Sequence, residues 1–279
     1  MKKSVAYYFE KMFPNENYQA LGSGRKSTVF RTESGKIVRI KSIRLGTYNK
    51  EARFLNFINK NGGLSCKVPD IKTFISFPFA FSVHNDFGGN AGNGDFYYNK
   101  LDVEQQKKIA AQLAEAFISL RKMGEKPDAK KIITRKKHLF FRRIKYFFVL
   151  LNKKEIRIKW LKLQQEYFKR NPQLVLTHND LHFKNMIIDD NFNLIGLIDF
   201  ENILFCPFEY NLRKYEKSLV NFIIDYWQKA GYEIDRIVLL YYRAEFFVSR
   251  LIMPSNRKNR VAYTQKLNEV LDDFLSLQT

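Results

Sequence analysis

Cysteine is scarce in this chain: Cys66 and Cys206 are the only two in 279 residues. They lie far apart and in no metal-ligand spacing, so a disulfide-stapled scaffold and a cysteine zinc site are excluded, and both are read as reduced thiols in a cytosolic protein. His84, His138, His178 and His182 form no zinc pattern either. Long hydrophobic runs are also missing. The densest, such as residues 146–151, end after six, against the roughly 18 apolar residues that a membrane span requires. Lys2 and Lys3 open the chain, but Glu10 and Lys11 interrupt the apolar stretch behind them before it could serve as a signal-peptide core, so a cytoplasmic location is expected. No internal repeat or low-complexity tract is present. Negative charge is in short supply too: 28 Asp and Glu against 48 Lys and Arg leave +20, which brings anionic partners into view.

What remains is a globular composition, 45% hydrophobic and 27% charged with 26 phenylalanines, in a chain long enough for one large domain or two ordinary ones. Residues 19–30 and 36–42 read as strands around a turn at 32–35, a hairpin with a glycine-bearing tip. Ala52, Phe54, Leu55 and Ile58 then follow a helical period from Lys50 until the Asn61-Gly62-Gly63 breaker. The loop 88–94, almost without side-chain bulk, divides the chain into an N-terminal lobe, 1–87, and a C-terminal lobe, 88–279. Asp102 with Gln105 resembles a capping box, and Ile109, Leu113, Phe117 and Leu120 extend a helix of about twenty residues. Residues 126–170 hold sixteen Lys or Arg against three acids, so most of the net charge sits in this segment. Strands are expected at 174–177, 186–189 and 194–198, the last two around an Asp190-Asn191 turn, and helices over the last seventy residues.

The chemistry concentrates in Leu176-Thr177-His178-Asn179-Asp180-Leu181-His182-Phe183-Lys184-Asn185 and in Ile198-Asp199-Phe200-Glu201. Phosphoryl transfer from a nucleotide needs one carboxylate to take the acceptor proton and hard oxygen ligands to hold magnesium on the phosphates. Asp180, Asn185 and Asp199 supply that set, two of them five residues apart in a loop and the third at the end of a following strand. The bland alternative makes Asp180 and Asn185 turn formers and Asp199 an incidental strand-end residue.

These two stretches resemble the aminoglycoside phosphotransferase and choline kinase-like family, whose loop reads His-Gly-Asp-Leu-His-Pro-Gly-Asn. The match falls on His178, Asp180, Leu181, His182 and Asn185, with departures at Asn179, Phe183 and Lys184. Ile198-Asp199-Phe200-Glu201 corresponds to the second signature, Ile-Asp-Trp/Phe-Glu; with Glu201 in place of the protein-kinase glycine and no Ala-Pro-Glu marker behind it, small-molecule kinases fit better than protein kinases. The family's Tyr-Asp-Leu-Ala element appears as Tyr210-Asn211-Leu212-Arg213. The resemblance implies an α+β, protein-kinase-like two-lobed fold, with a small antiparallel-sheet lobe and a larger, mainly helical one. It implies Asp180 as catalytic base, His178 as a brace for its loop, Asn185 and Asp199 as magnesium ligands, and ATP or GTP as phosphoryl donor. In the N-terminal lobe Gly22, Ser23, Gly24 and Ser27 would approach the phosphates, Arg39 rather than Lys41 would bind them, and Glu51 would pair with that cation. The same residues also suit a ligand-free hairpin tip, two solvated charges on a strand face, and a glutamate favouring a helix dipole in the first turn.

The charge bears on the acceptor. Aminoglycosides are polycations and call for carboxylates, whereas residues 126–170 would attract an anionic acceptor such as a phosphorylated or acidic saccharide, or bring the protein peripherally to an anionic inner membrane surface where a lipid-linked acceptor resides, so the acceptor expected is a neutral or anionic saccharide or a lipid-linked alcohol. Nucleic acid is not expected as a partner. An aminoglycoside-type or choline-type kinase is the alternative; a non-catalytic nucleotide-binding protein, or a basic module for membrane or nucleic acid, is the alternative of another class.

Overall fold

The computed structural model describes residues 5–23, 27–42, 45–76, 79–91, 100–133, 150, 153–253 and 258–278. They form two compact units, the first built from residues 1–133 and 183–203, the second from 134–182 and 204–279.

The first unit opens with helix α1 (Val5–Met12) and three strands, β1 (Tyr18–Ser23), β2 (Ser27–Thr32) and β3 (Lys36–Ser42). The expected strand at 19–30 is thus two paired strands, with a register shift between Ala20 and Gly22. Helix α2 (Leu45–Lys60) and strands β4 (Lys72–Ser76) and β5 (Phe79–Asn85) follow, and the antiparallel sheet runs β1-β2-β3-β5-β4. The period-two pattern of β3 sorts its side chains by face. Val38 and Ile40 join Phe9, Phe30 and Phe81 in an apolar core under α1, and Arg39 and Lys41 take the other face.

Strand β6 (Asn90–Ala91) pairs with β8 (Met186–Ile188), which pairs in turn with β9 (Leu194–Leu197). Between β8 and β9 the Asp189 carboxylate accepts from Asn191 N, Asn193 N and Asn193 Nδ2, which lets Phe192 stand in the left-handed region at φ 59°. Helix α3 (Val103–Glu125) starts at the capping box read from Asp102 and Gln105, and Ile109, Leu113, Phe117 and Leu120 form its buried stripe. A single helical turn, α4 (Ala129–Ile132), closes this stretch.

The second unit contains α5 (Lys154–Phe168), the antiparallel pair β7 (Leu174–Thr177) with β10 (Leu204–Pro207), and the helices α6 (Glu209–Leu212), α7 (Lys217–Lys229), α8 (Arg236–Ile252) and α9 (Arg260–Ser276). Its core is aromatic and aliphatic, with Trp160 stacked on Tyr241 at 5.4 Å and Phe208 on Trp227 at 3.5 Å. Asp235 caps α8 by accepting from Ile237 N and Val238 N. No helix among the described residues is long and apolar enough to cross a membrane.

Candidate active site

In the first unit the residues expected to face a nucleotide lie on β1, β2 and the polar face of β3. Gly22 and Ser23 end β1, registered with Val29 and Thr28. Gly24 lies outside the described residues, and Ser27 opens β2, its Oγ accepting from Arg39 Nε at 3.5 Å. The Arg39 guanidinium reaches three carboxylates: Glu51 Oε2 at 3.6 Å, Asp199 Oδ1 at 3.2 Å and Glu201 Oε1 at 3.2 Å. Lys41, two residues along the same face, pairs with Glu201 and is 5% exposed. Neither cation is a solvated charge on an open strand face.

Glu51 differs from the sequence expectation in its place on the helix. Because α2 begins at Leu45, Glu51 stands in the second turn, where an interaction with the helix dipole no longer accounts for it. Its side chain is almost wholly buried; Oε1 accepts from Phe200 N at 3.0 Å while Oε2 faces Arg39. Burial raises its carboxyl above the ordinary glutamate range, and the nearby Arg39 opposes that rise. Glu51 therefore joins the β3 cation to the turn carrying Phe200, one residue after Asp199.

Asp199 sits just past β9 in the left-handed region, at φ 64° and ψ 58°. A non-glycine residue there costs energy unless its surroundings hold it, and here Arg39 holds its carboxylate while Glu51 holds the next peptide. Ile198 N donates to Asn185 O at 3.0 Å, so Asn185, in the 3₁₀ turn Phe183–Asn185, lies beside the Asp199 turn. Asn185 and Asp199 thus stand in adjoining turns and offer an amide oxygen and a carboxylate, both hard-oxygen donors, with Arg39 at Oδ1 of Asp199. That chemistry fits magnesium.

The second unit carries the other part of the motif. Thr177 ends β7, its hydroxyl donating to Leu204 O of the paired strand, and the chain then turns through His178, Asn179 and Asp180. His178 is fully buried, and its carbonyl accepts from Asp180 N at 2.8 Å. Asn179 occupies the position of the family glycine in the left-handed region, at φ 64°, a conformation that asparagine tolerates better than most residues. Arg213 Nη2 donates to both Asn179 O, at 2.8 Å, and Asn179 Oδ1, at 3.1 Å, while its guanidinium lies 3.6 Å from the Tyr210 ring centroid. Asp180 is half-buried and pairs with Lys214. Burial pushes its carboxyl up, but Lys214, His182 and His178 together outweigh burial and hold it below the usual aspartate range.

Sequence reasoning missed Glu201, Arg213 and Lys214. Glu201 was visible as the residue in place of a glycine, though not as the partner of Lys41. The replacement of the family alanine by Arg213 was the signal for the second pair, but its partner Asn179 is 34 positions away.

Comparison with known proteins bears on the family and the fold. The sequence matches the model of the phosphotransferase enzyme family (APH) over residues 17–212, more than two thirds of the chain. Among solved structures, aminoglycoside 2'-phosphotransferase-IIIa in its GDP complex superposes with a TM-score of 0.74 at 16% identity, covering 97% of this chain and 99% of that one. The streptomycin-ATP ternary complex of APH(2")-IIa gives 0.66 at 16% identity over 96% of each chain. Macrolide 2'-phosphotransferase MphH from Brachybacterium faecium gives 0.61 at 14% identity over 91% of each. The fold is the α+β, kinase-like fold of these enzymes, and the chain belongs to the phosphotransferase enzyme family.

Proposed function

We propose that this protein transfers the γ-phosphate of ATP or GTP to a hydroxyl of a small molecule, with magnesium. The observation that carries the reading is the β3 cluster, in which one guanidinium joins Glu51 to Asp199. This cluster gives a strand cation fixed for phosphate binding and a carboxylate fixed for metal binding. Solved structures of similar fold are complexes with GDP and with ATP, which supports a nucleoside triphosphate as donor.

In this reading Arg39 binds phosphate together with Ser27 and the β1 end at Gly22 and Ser23, Gly24 is a further phosphate contact proposed from the sequence, and Glu51 orients Arg39. Asn185 and Asp199 hold magnesium, which when bound neutralises charge on the phosphates and aligns them. Asp180, kept ionised by Lys214, takes the proton of the acceptor hydroxyl, and His178 braces its loop. For the acceptor we propose a neutral or anionic saccharide or lipid-linked alcohol rather than an aminoglycoside, a choice supported by the net charge of +20.

The test is a radiolabel-transfer screen from γ-labelled ATP across saccharides, their phosphates, aminoalcohols and antibiotics, with Asp180→Asn as the control. Removal of a general base lowers turnover by about 10²- to 10⁴-fold, and nucleotide affinity should stay nearly unchanged. An Asp180→Asn variant within about threefold of the parent, against the about 10²-fold or greater loss expected, would refute the assignment. Efficient labelling of kanamycin would favour the antibiotic-kinase alternative.

A further inference from the structure

Asp180 faces more positive charge than a general base needs. Lys214, just beyond α6, donates to Asp180 Oδ1 and is mostly buried. An ammonium has three N–H donors, and Asp180 is the only partner of Lys214 among the described residues. Beside it stands the buried Arg213, occupied by Asn179 and by the carbonyl of Tyr210. Arg250, on α8, adds a third positive charge that acts on Lys214.

Asp180 is the carboxylate that the described structure places on Lys214, and in the proposed reaction it must also accept a proton during transfer. Desolvating an ammonium is costly unless its charge and its donors are satisfied. Burial first, and then the Arg213 charge, pulls the Lys214 pKa below the ordinary lysine value, so the ammonium is under-compensated by Asp180 alone. A second anion on the free donors would complete the cluster.

We propose that Lys214 binds the acceptor: its ammonium, while touching Asp180, receives an anionic group that the acceptor carries near its reactive hydroxyl. The inference rests on the phosphotransferase reading above, since Asp180 is taken to be the base. Two hydrogen bonds of about 2.8 Å each, one from the hydroxyl to Asp180 and one from Lys214 to the anion, place the two groups within a few covalent bonds. A sugar phosphate or a hydroxy acid has that form. Phosphate and carboxylate share the required chemistry, and the experiment separates them.

Amine acylation of the whole protein, followed residue by residue by mass spectrometry, is run in inorganic phosphate, acetate and chloride at equal ionic strength. ADP is present throughout, so that phosphate does not act through the nucleotide site. A charge-assisted hydrogen bond should slow labelling of Lys214 by about tenfold in phosphate, in acetate, or in both. Chloride should have no such effect, and Lys217, exposed beside Asp273, serves as the internal reference. The protecting anion identifies the acceptor's charged group; equal labelling of Lys214 in the three salts overturns the proposal. In the transfer assay, Lys214→Gln should lower kcat/KM for a sugar phosphate or acid about tenfold more than for the matching neutral sugar. An equal fall for both would show that Lys214 acts only on Asp180. Absence of transfer to every acceptor would count against the phosphotransferase reading, while the labelling result would still decide the role of Lys214.

Discussion

Glu51 shows how a buried charge is held at the scale of one residue. Its carboxylate is almost without solvent, receives one backbone N–H from Phe200, and depends most on the Arg39 charge, with Lys41 adding less. Breaking a buried pair by removing one partner costs about 3–5 kcal/mol, because the other charge stays buried. Arg39→Met should therefore lower unfolding stability by about that much in urea titrations at neutral pH. The sign with pH follows from Glu51, whose folded carboxyl burial already raises and which would rise further without Arg39. A carboxyl with a raised folded pKa favours the fold at pH values below its unfolded pKa, and that contribution is lost as pH rises through the folded pKa. Arg39→Met should then lose stability from mildly acidic to neutral pH more steeply than the parent, and adding Glu51→Gln should remove the difference. A double variant as pH-sensitive as the single one would show that Glu51 is not the stranded charge.

Asp180, Asn185 and Asp199 stood out in the sequence as candidates because phosphoryl transfer tolerates few residue types and few spacings; their roles remain the proposal above. Lys214 and Glu201 did not. Lys214 reaches Asp180 from 34 positions away, and Lys41 meets Glu201 from a distant strand, so no local pattern announces either pair.

Among the elements, legibility followed the strength of the local rule. Helix α3 was plain because its capping box and its apolar stripe agree. The start of α2 was hidden because its first residues include Gly46, Thr47 and Asn49, all poor helix formers. The hairpin β8–β9 was legible, but not the packing that makes its glycine necessary. Gly196, opposite Ile187, is bridged to Lys67, and Leu197 N donates to Lys67 O at 2.9 Å. A Cβ on Gly196 would run into the Phe87 ring and come within 3.3 Å of Lys67 O. Gly196→Ala should therefore cost about 1–3 kcal/mol, the usual range for forcing extra volume into a packed site, measured as a fall in the urea midpoint. Because β9 leads into Asp199, the loss should be accompanied by weaker nucleotide binding. Parent-like stability would mean that Phe87 moves aside freely.

For the whole molecule the dominant quantity is charge. A net charge of +20 has to act on something, and residues 126–170 hold sixteen of the basic side chains. Several that the structure describes are already matched: Lys131 with Asp128, Lys159 with Asp272, Lys169 with Glu166 and Arg170 with Asp235. Within the acid-free stretch 129–154, the basic run 135–145 lies outside the described residues, so its role stands as a proposal from the sequence. A positive field raises encounter rates with anions and repels cations, and it is screened over about 8 Å at physiological ionic strength. Two consequences distinguish recruitment of an anionic acceptor from a merely solvated helix face. Aminoglycosides should be poor acceptors, and kcat/KM for the true acceptor should fall steeply with salt. Replacing Arg142, Arg143 and Lys145 by Gln should lower that kcat/KM at low salt and flatten its salt dependence, with ATP affinity unchanged because the lost charges act on the acceptor. A triple variant with the parent's salt profile, or efficient kanamycin phosphorylation by the parent, would remove the electrostatic argument and leave the phosphotransferase assignment resting on the β3 cluster and the Asp180 loop.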